Sequence, residues 1–167
     1  EVVFLGGSAN TYLSDTWTYN LNENIWHIRQ PHPDLDGPCR RDMQNLVYDV
    51  IGKNHWLFNG ISYNDSQPGC DGFASRSGTW MYDRAVNVWT KTSVINEHVY
   101  QGAGMAYNSD SRNFLQFGGS NVNPSSNTFI FNIATKSWQK LNLAVFPPAR
   151  LQIENGLVYD KANKVFV

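Results

Sequence analysis

One feature constrains this chain more than any other: three unrelated-looking landmarks recur with fixed mutual spacing. An aromatic pair nine residues apart appears as Trp17 and Trp26, as Trp80 and Trp89, and as Phe129 and Trp138. A strand-like run closing in glycine appears as VVFLGG through Gly6 and Gly7, as HWLFNG through Gly60, and as NFLQFGG through Gly118 and Gly119. A short apolar segment ending in Tyr and a turn former appears at Tyr48, Tyr107 and Tyr159. A fixed internal period means a repeat architecture, in which no single unit can bury its apolar face alone.

Period-2 alternation runs through these segments, and no stretch sustains a 3.6-residue apolar period, so the chain reads as all-β. Trp17 and Tyr19 fall on one strand face with Thr16 and Thr18 on the other, and the aromatic column is expected to point inward. Between the paired aromatics lie turn-forming stretches (NLNEN, DRAVN, NIATK), so each strand carrying the first aromatic folds back as a hairpin. Each unit is therefore four antiparallel strands, A around Tyr48, B ending at Gly60, C over Thr79 to Tyr82 and D over Asn87 to Thr90.

A double glycine closing strand B, an aromatic-x-aromatic strand C and a Trp nine residues on resemble the kelch repeat, and the resemblance covers essentially the whole chain. It implies a β-propeller of four-stranded blades with three blades present, part of a six- or seven-bladed ring. Residues 1–30 supply strands B to D of one blade, 40–92 and 98–141 two full blades, and 150–167 strand A and the start of B of a fourth. Asn59 replaces the first glycine of the second pair and Phe129 replaces a Trp. Asn tolerates a left-handed backbone and Phe keeps the aromatic plate, so both departures fit. Three blades alone would leave two aromatic faces open, so the expected partners are remaining blades of a longer polypeptide or a second copy closing a ring by a two-fold axis.

Composition narrows the function classes. Thirteen Lys and Arg against fourteen Asp and Glu give a net charge of -1, which excludes a nucleic-acid polyelectrolyte. No apolar run approaches the ~18 residues of a membrane span. Two cysteines, Cys39 and Cys70, cannot hold a four-ligand zinc site. Both fall in loops at the same end of one repeat, so a Cys39–Cys70 disulfide is sterically reasonable, with two free thiols as the alternative. The sequon at Asn64 favours an extracellular setting.

Binding residues on such scaffolds gather in variable loops. From the closing glycine to the strand-C aromatic takes ten residues in two copies and twenty in the second, the excess lying within Ile61 to Gly78. The start of each strand A carries a polar or basic residue: Arg40 and Arg41, His98 and Tyr100, and Arg150. In kelch adaptor proteins arginines at this place ring the channel mouth and bind acidic peptide segments. By that resemblance these five residues are the ligand-contact candidates, joined by Tyr63 and Phe73 from the long loop as stacking partners. The bland alternative is that the arginines anchor loops through carbonyl hydrogen bonds. Gly6, Gly7, Gly60, Gly118, Gly119, Trp17, Trp26, Trp80, Trp89, Phe129 and Trp138 read as structural repeat residues rather than ligand contacts.

No metal or catalytic spacing emerges from the four histidines, no cofactor is implied, and the Asp of a sialidase-type box is missing beside Ser75. The expected function is a binding scaffold presenting its B–C and D–A loops to a protein or glycan. Two alternatives stand: a galactose-oxidase-like or carbohydrate-active enzyme whose catalytic residues lie outside this segment, and a structural assembly component.

Overall fold

The computed structural model describes residues 1–30, 37–62, 74–75, 78–95, 100–120, 123–151, 153 and 156–167. Among these there is no helix, and every strand pair within a sheet is antiparallel. The first sheet comprises β1 (Val2–Ser8), β2 (Tyr12–Asn20) and β3 (Ile25–Gln30) in sequential order. The second is a four-stranded meander of β4 (Asn45–Asp49), β5 (Asn54–Phe58), β8 (Thr79–Asp83) and β9 (Val88–Thr92). A separate two-stranded arm, β6 (Ile61–Ser62) with β7 (Ala74–Ser75), rises between β5 and β8. The third sheet repeats the meander with β10 (Gly104–Asn108), β11 (Asn113–Phe117), β12 (Thr128–Asn132) and β13 (Ser137–Lys140). The pair β14 (Tyr159–Asp160) and β15 (Val165–Phe166) completes the described strands, which form an open series and not a closed ring.

The hairpins follow from one local rule. Asn20, Asp49, Asp83, Asn108, Asn132 and Asp160 each end a strand, and each side-chain oxygen accepts the backbone N–H two residues on. Such Asx turns nucleate the reversal locally. Four residues after each of them the chain takes a left-handed residue, namely Asn24, Lys53, Asn87, Arg112, Lys136 and Lys164 with φ between 51° and 57°. That shared geometry sets the register of six hairpins. At the opposite end Asn59 adopts φ 58°, the conformation its glycine counterparts adopt at the same place.

The sheets lie side by side, and the second buries both of its faces. Trp56 and Phe58 of β5 pack against Phe114, Phe129, Phe131 and Trp138 of the third sheet. On the other face of the same sheet, Leu57, Tyr82 and Trp89 pack against Leu5 and Val3 of β1. Trp89 Nε1 donates to buried Thr16 Oγ1 across this gap at 2.9 Å. Both faces of the second sheet are thus covered, while the first sheet is covered on one.

That geometry corrects the orientation expected for the first repeat. Thr16 and Thr18 are fully buried, whereas Trp17 and Tyr19 are half-buried and Trp26 is 49% exposed. The alternation is as expected, but the aromatic face of each sheet meets the sheet before it, and the first has none before it in this structure. The equivalent aromatics Tyr82 and Trp89, and Phe129, Phe131 and Trp138, are buried, with Trp80 half-buried.

Candidate functional site

The loops at the glycine end are knitted into one surface by backbone bonds. Gly7 N donates to Arg41 O at 2.9 Å, and Gly119 N to Arg150 O at 3.0 Å, so each glycine pair grips the chain entering the next inner strand. Asp42 and Ile61 exchange two backbone bonds, and so do Gln101 and Ser120. Ser8 Oγ donates to Asp42 Oδ2, and Gln44 Nε2 donates to Leu5 O. β6 therefore begins at the residue that braces the start of the second sheet.

The candidate contact residues separate into different roles. Arg41 is 1% exposed, and its guanidinium donates to Cys39 O at 3.0 Å and Asn59 O at 2.8 Å. Its head group is held inside the protein on carbonyl oxygens, the anchoring role, and is not offered to a ligand at the surface. Arg150, whose carbonyl is bonded in the same way as Arg41, has an exposed side chain, and Arg40 is half-buried. Tyr100 is half-buried, stacks on Phe129 with centroids 5.4 Å apart, and its hydroxyl accepts from Asn127 Nδ2. Tyr63, Phe73, His98 and Cys70 lie outside the described residues. Cys39 is disulfide-bonded.

A second cluster, at the turn end, escaped the sequence reading. The buried Asp49 carboxylate accepts from Tyr107 Oη, from Arg112 Nη2 at 2.9 Å and from the Ile51 amide. Burial pushes this carboxyl up, but bonds from the Gly52 backbone, Tyr107, Arg112 and Ile51 outweigh it and hold the acid below its usual range. Burial and the same carboxylate push the Tyr107 phenol up to about 12. One repeat later Tyr159 Oη donates to Asp110 Oδ2 at 2.9 Å. Tyr107 and Tyr159 thus each bond a carboxylate of the preceding repeat, Asp49 or Asp110. The signal in the sequence was the recurring Tyr-Asp or Tyr-Asn, which by itself names the turn but not the inter-sheet partner. These bonds tie β4 to β10 and the turn after β10 to β14.

Nearby, a cleft of about 1020 Å³ opens between β1 and β4, lined among others by Val2, Val3, Leu46, Tyr48 and His55. Burial foremost, and the charge of Arg84, push His55 down to about 4, so it is neutral at pH 7. No group of three or more potential metal ligands occurs among the described residues.

The chain matches no protein-family model and no curated protein.

Proposed function

We propose that this chain is a kelch-type β-propeller segment that serves as a binding scaffold, presenting the loops of its glycine end to a protein or glycan. The observation that carries this reading is the pairing of β6 with β7, at the base of the ten-residue insertion, on the end where half-buried Arg40 and exposed Arg150 lie. An insertion held by its own strand pairing on an otherwise regular repeat is the part of a scaffold free to vary for recognition.

Two features support radial blades over a two-layer sandwich. Each sheet is a meander of consecutive strands, and the second sheet packs apolar side chains on both faces, which a sandwich of two sheets does not do. In addition, Gly102 N donates to Met43 O and Ile153 N to Gly102 O, so the segments leading into β4, β10 and β14 are bonded in succession, as radial blades would require.

The test is an array of glycans and acidic peptides probed with the intact chain, followed by Arg40→Ala, Arg150→Ala and replacement of residues 63–73 by a Gly-Ser linker. Binding that falls at least about tenfold in the linker variant, equivalent to about 1.4 kcal/mol, is the expected result. Retention of full binding by all three variants sinks the loop-end assignment.

A further inference from the structure

A pocket of about 230 Å³ opens at the glycine end of the third sheet, between the segment entering β12 and the segment leaving β13. Ser126, Asn127 and Thr128 line one side, and Lys140, Asn142 and Phe146 the other. All of these residues belong to the third repeat. The two sides are fixed to each other, because Leu141 N donates to Thr128 O at 2.9 Å. The first side is also held from behind: Gly118 N donates to Asn127 O at 3.1 Å, Ser125 N to Gly119 O at 2.9 Å and Asn127 N to Ser125 Oγ at 2.9 Å. Asn127 Nδ2 donates to Tyr100 Oη at 2.9 Å, and the Tyr100 ring lies against Phe129. One amide hydrogen of Asn127 is thereby used to orient the group, which keeps its carbonyl oxygen and second hydrogen for a ligand.

The second sheet shows why the pocket stands at the third. Trp80 faces Lys91 across β8 and β9 as Phe129 faces Lys140 across β12 and β13. Lys91 lies over the Trp80 ring, its Nζ 5.9 Å from the centroid, and its stem passes beside Gly78, where an added Cβ would be 3.4 Å from Lys91 Cε. At the third sheet Asn127 stands where Gly78 does and Phe129 where Trp80 does. Phe129 is buried under Tyr100, so the indole platform is gone, and a side chain at 127 takes the room beside it. Lys140 is exposed at the pocket. The departure of Phe129 from the tryptophan of its repeat thus accompanies a change from a lysine laid on a ring to a lysine beside a polar pocket.

We propose that this pocket is a subsite for a carboxylated sugar unit of a glycan. Its lining carries one cation, Lys140, and no acidic residue, and the exposed Arg150 adjoins it through the bond from Arg150 N to Ser125 O. A carboxylate is the charge that complements such a lining. The hydroxyls of Ser126 and Thr128 and the amides of Asn127 and Asn142 can each donate and accept, as each sugar hydroxyl can. The carboxylate of an acidic peptide side chain asks for donors alone, so it leaves the acceptors of this pocket unmatched. The half-exposed Phe146 ring supplies an apolar surface for the C–H face of a sugar. The inference rests on the loop-end binding reading and narrows its ligand from protein or glycan to an acidic glycan.

Uronate- and sialate-bearing oligosaccharides, each beside its neutral counterpart on an array probed with the intact chain, test it. Titration calorimetry then measures the pair with the strongest signal. The carboxylated member is expected to bind at least about tenfold more tightly. Lys140→Met keeps the aliphatic stem without the charge and is expected to erase that preference, whereas Phe146→Ala is expected to weaken both members of the pair. Both side chains are exposed, so unchanged urea midpoints are expected to accompany these losses. Absence of binding to every carboxylated glycan, or binding that neither substitution alters, overturns the proposal. Acidic peptides that bind, and lose binding in the Arg150→Ala or linker variants, while no carboxylated glycan binds, overturn the sugar subsite and leave the loop-end reading standing. A chain that binds neither class overturns both.

Discussion

Replacing Gly119 by Ala tests the claim that the glycine after β11 is needed for the close approach of the segment that leads into β10 of the same sheet. Gly119 and Gly7 occupy the second position of their pairs, with φ +80° and +98°, and each N–H grips the chain entering the following inner strand. An alanine at either site incurs the left-handed strain of an L-residue, about 1–2 kcal/mol. It also reduces unfolded-state freedom, worth about 0.4–1 kcal/mol in the opposite direction. These terms are shared. The surroundings are not: a Cβ on Gly119 would sit 2.8 Å from Ala103 Cβ and 2.9 Å from Gln101 O, atoms that cannot rotate away, whereas on Gly7 the nearest atom is Phe4 Cζ at 3.8 Å.

Crowding of the first kind costs about 1–3 kcal/mol, so Gly119→Ala should be less stable than Gly7→Ala by about that amount. In a domain of this size that is roughly 2–4 °C in Tm per kcal/mol. Urea unfolding followed by tryptophan fluorescence gives both values under one set of conditions. Equal losses from the two substitutions would refute the close-approach argument and leave backbone conformation as the sole reason for glycine.

Three other outcomes follow from the same geometry. Arg41→Lys, which cannot keep both carbonyl bonds of a buried guanidinium, should cost about 1–3 kcal/mol, while the exposed Arg150→Ala should stay within about 0.5 kcal/mol; urea midpoints distinguish the two. On acidification stability should fall in two stages. His55 is kept neutral in the fold, with its pKa lowered from 6.5 to about 4, so its contribution is complete above the unfolded value and is lost as pH drops from 6.5 towards 4. The Asp49 carboxylate, depressed in the fold, loses its contribution only below the ordinary carboxylate range, and His55→Gln should abolish the upper stage of a pH series alone. Non-reducing peptide mapping should recover Cys39 linked to Cys70, and Cys39→Ser should cost about 3–4 kcal/mol by loop-closure entropy, measurable as a lowered urea midpoint.

Much of the architecture was legible because its causes are local. The Asn or Asp ending each A and C strand makes its own turn, and the left-handed residue four positions on follows from that turn, so strand order and hairpin register could be read without tertiary information. Which face of a strand becomes the interior is not local. Trp17 and Thr16 alternate in any strand, but whether the indole or the threonine is buried depends on which neighbouring sheet is present. Polarity therefore misjudged the first sheet, where Thr16 is buried because it accepts from Trp89. The candidate contact residues were legible as the residues that precede strands A, and less so as a set of roles. Basic residues do begin the inner strands, but Arg41 is distinguished from Arg150 only by the carbonyls of Cys39 and Asn59, which no spacing encodes.

That difference shows how a repeat protein assigns function to equivalent positions. Arg41 and Arg150 receive the same backbone bond from the same glycine position, so their main chains are equivalent. Arg41 is buried because its own sheet supplies a second turn, at Asn59, whose carbonyl takes the guanidinium. Burying a cation without such partners would cost several kcal/mol, so a loop-end arginine is drawn inward only where the glycine turn of its own repeat stands over it. The side chain of Arg150 stays at the surface. At Arg41 it is the carbonyl of Asn59 that holds the guanidinium inside. If the loop end recognises acidic groups, Arg150→Ala should weaken binding of acidic peptides while leaving the urea midpoint in place, whereas Arg41→Lys should lower the midpoint.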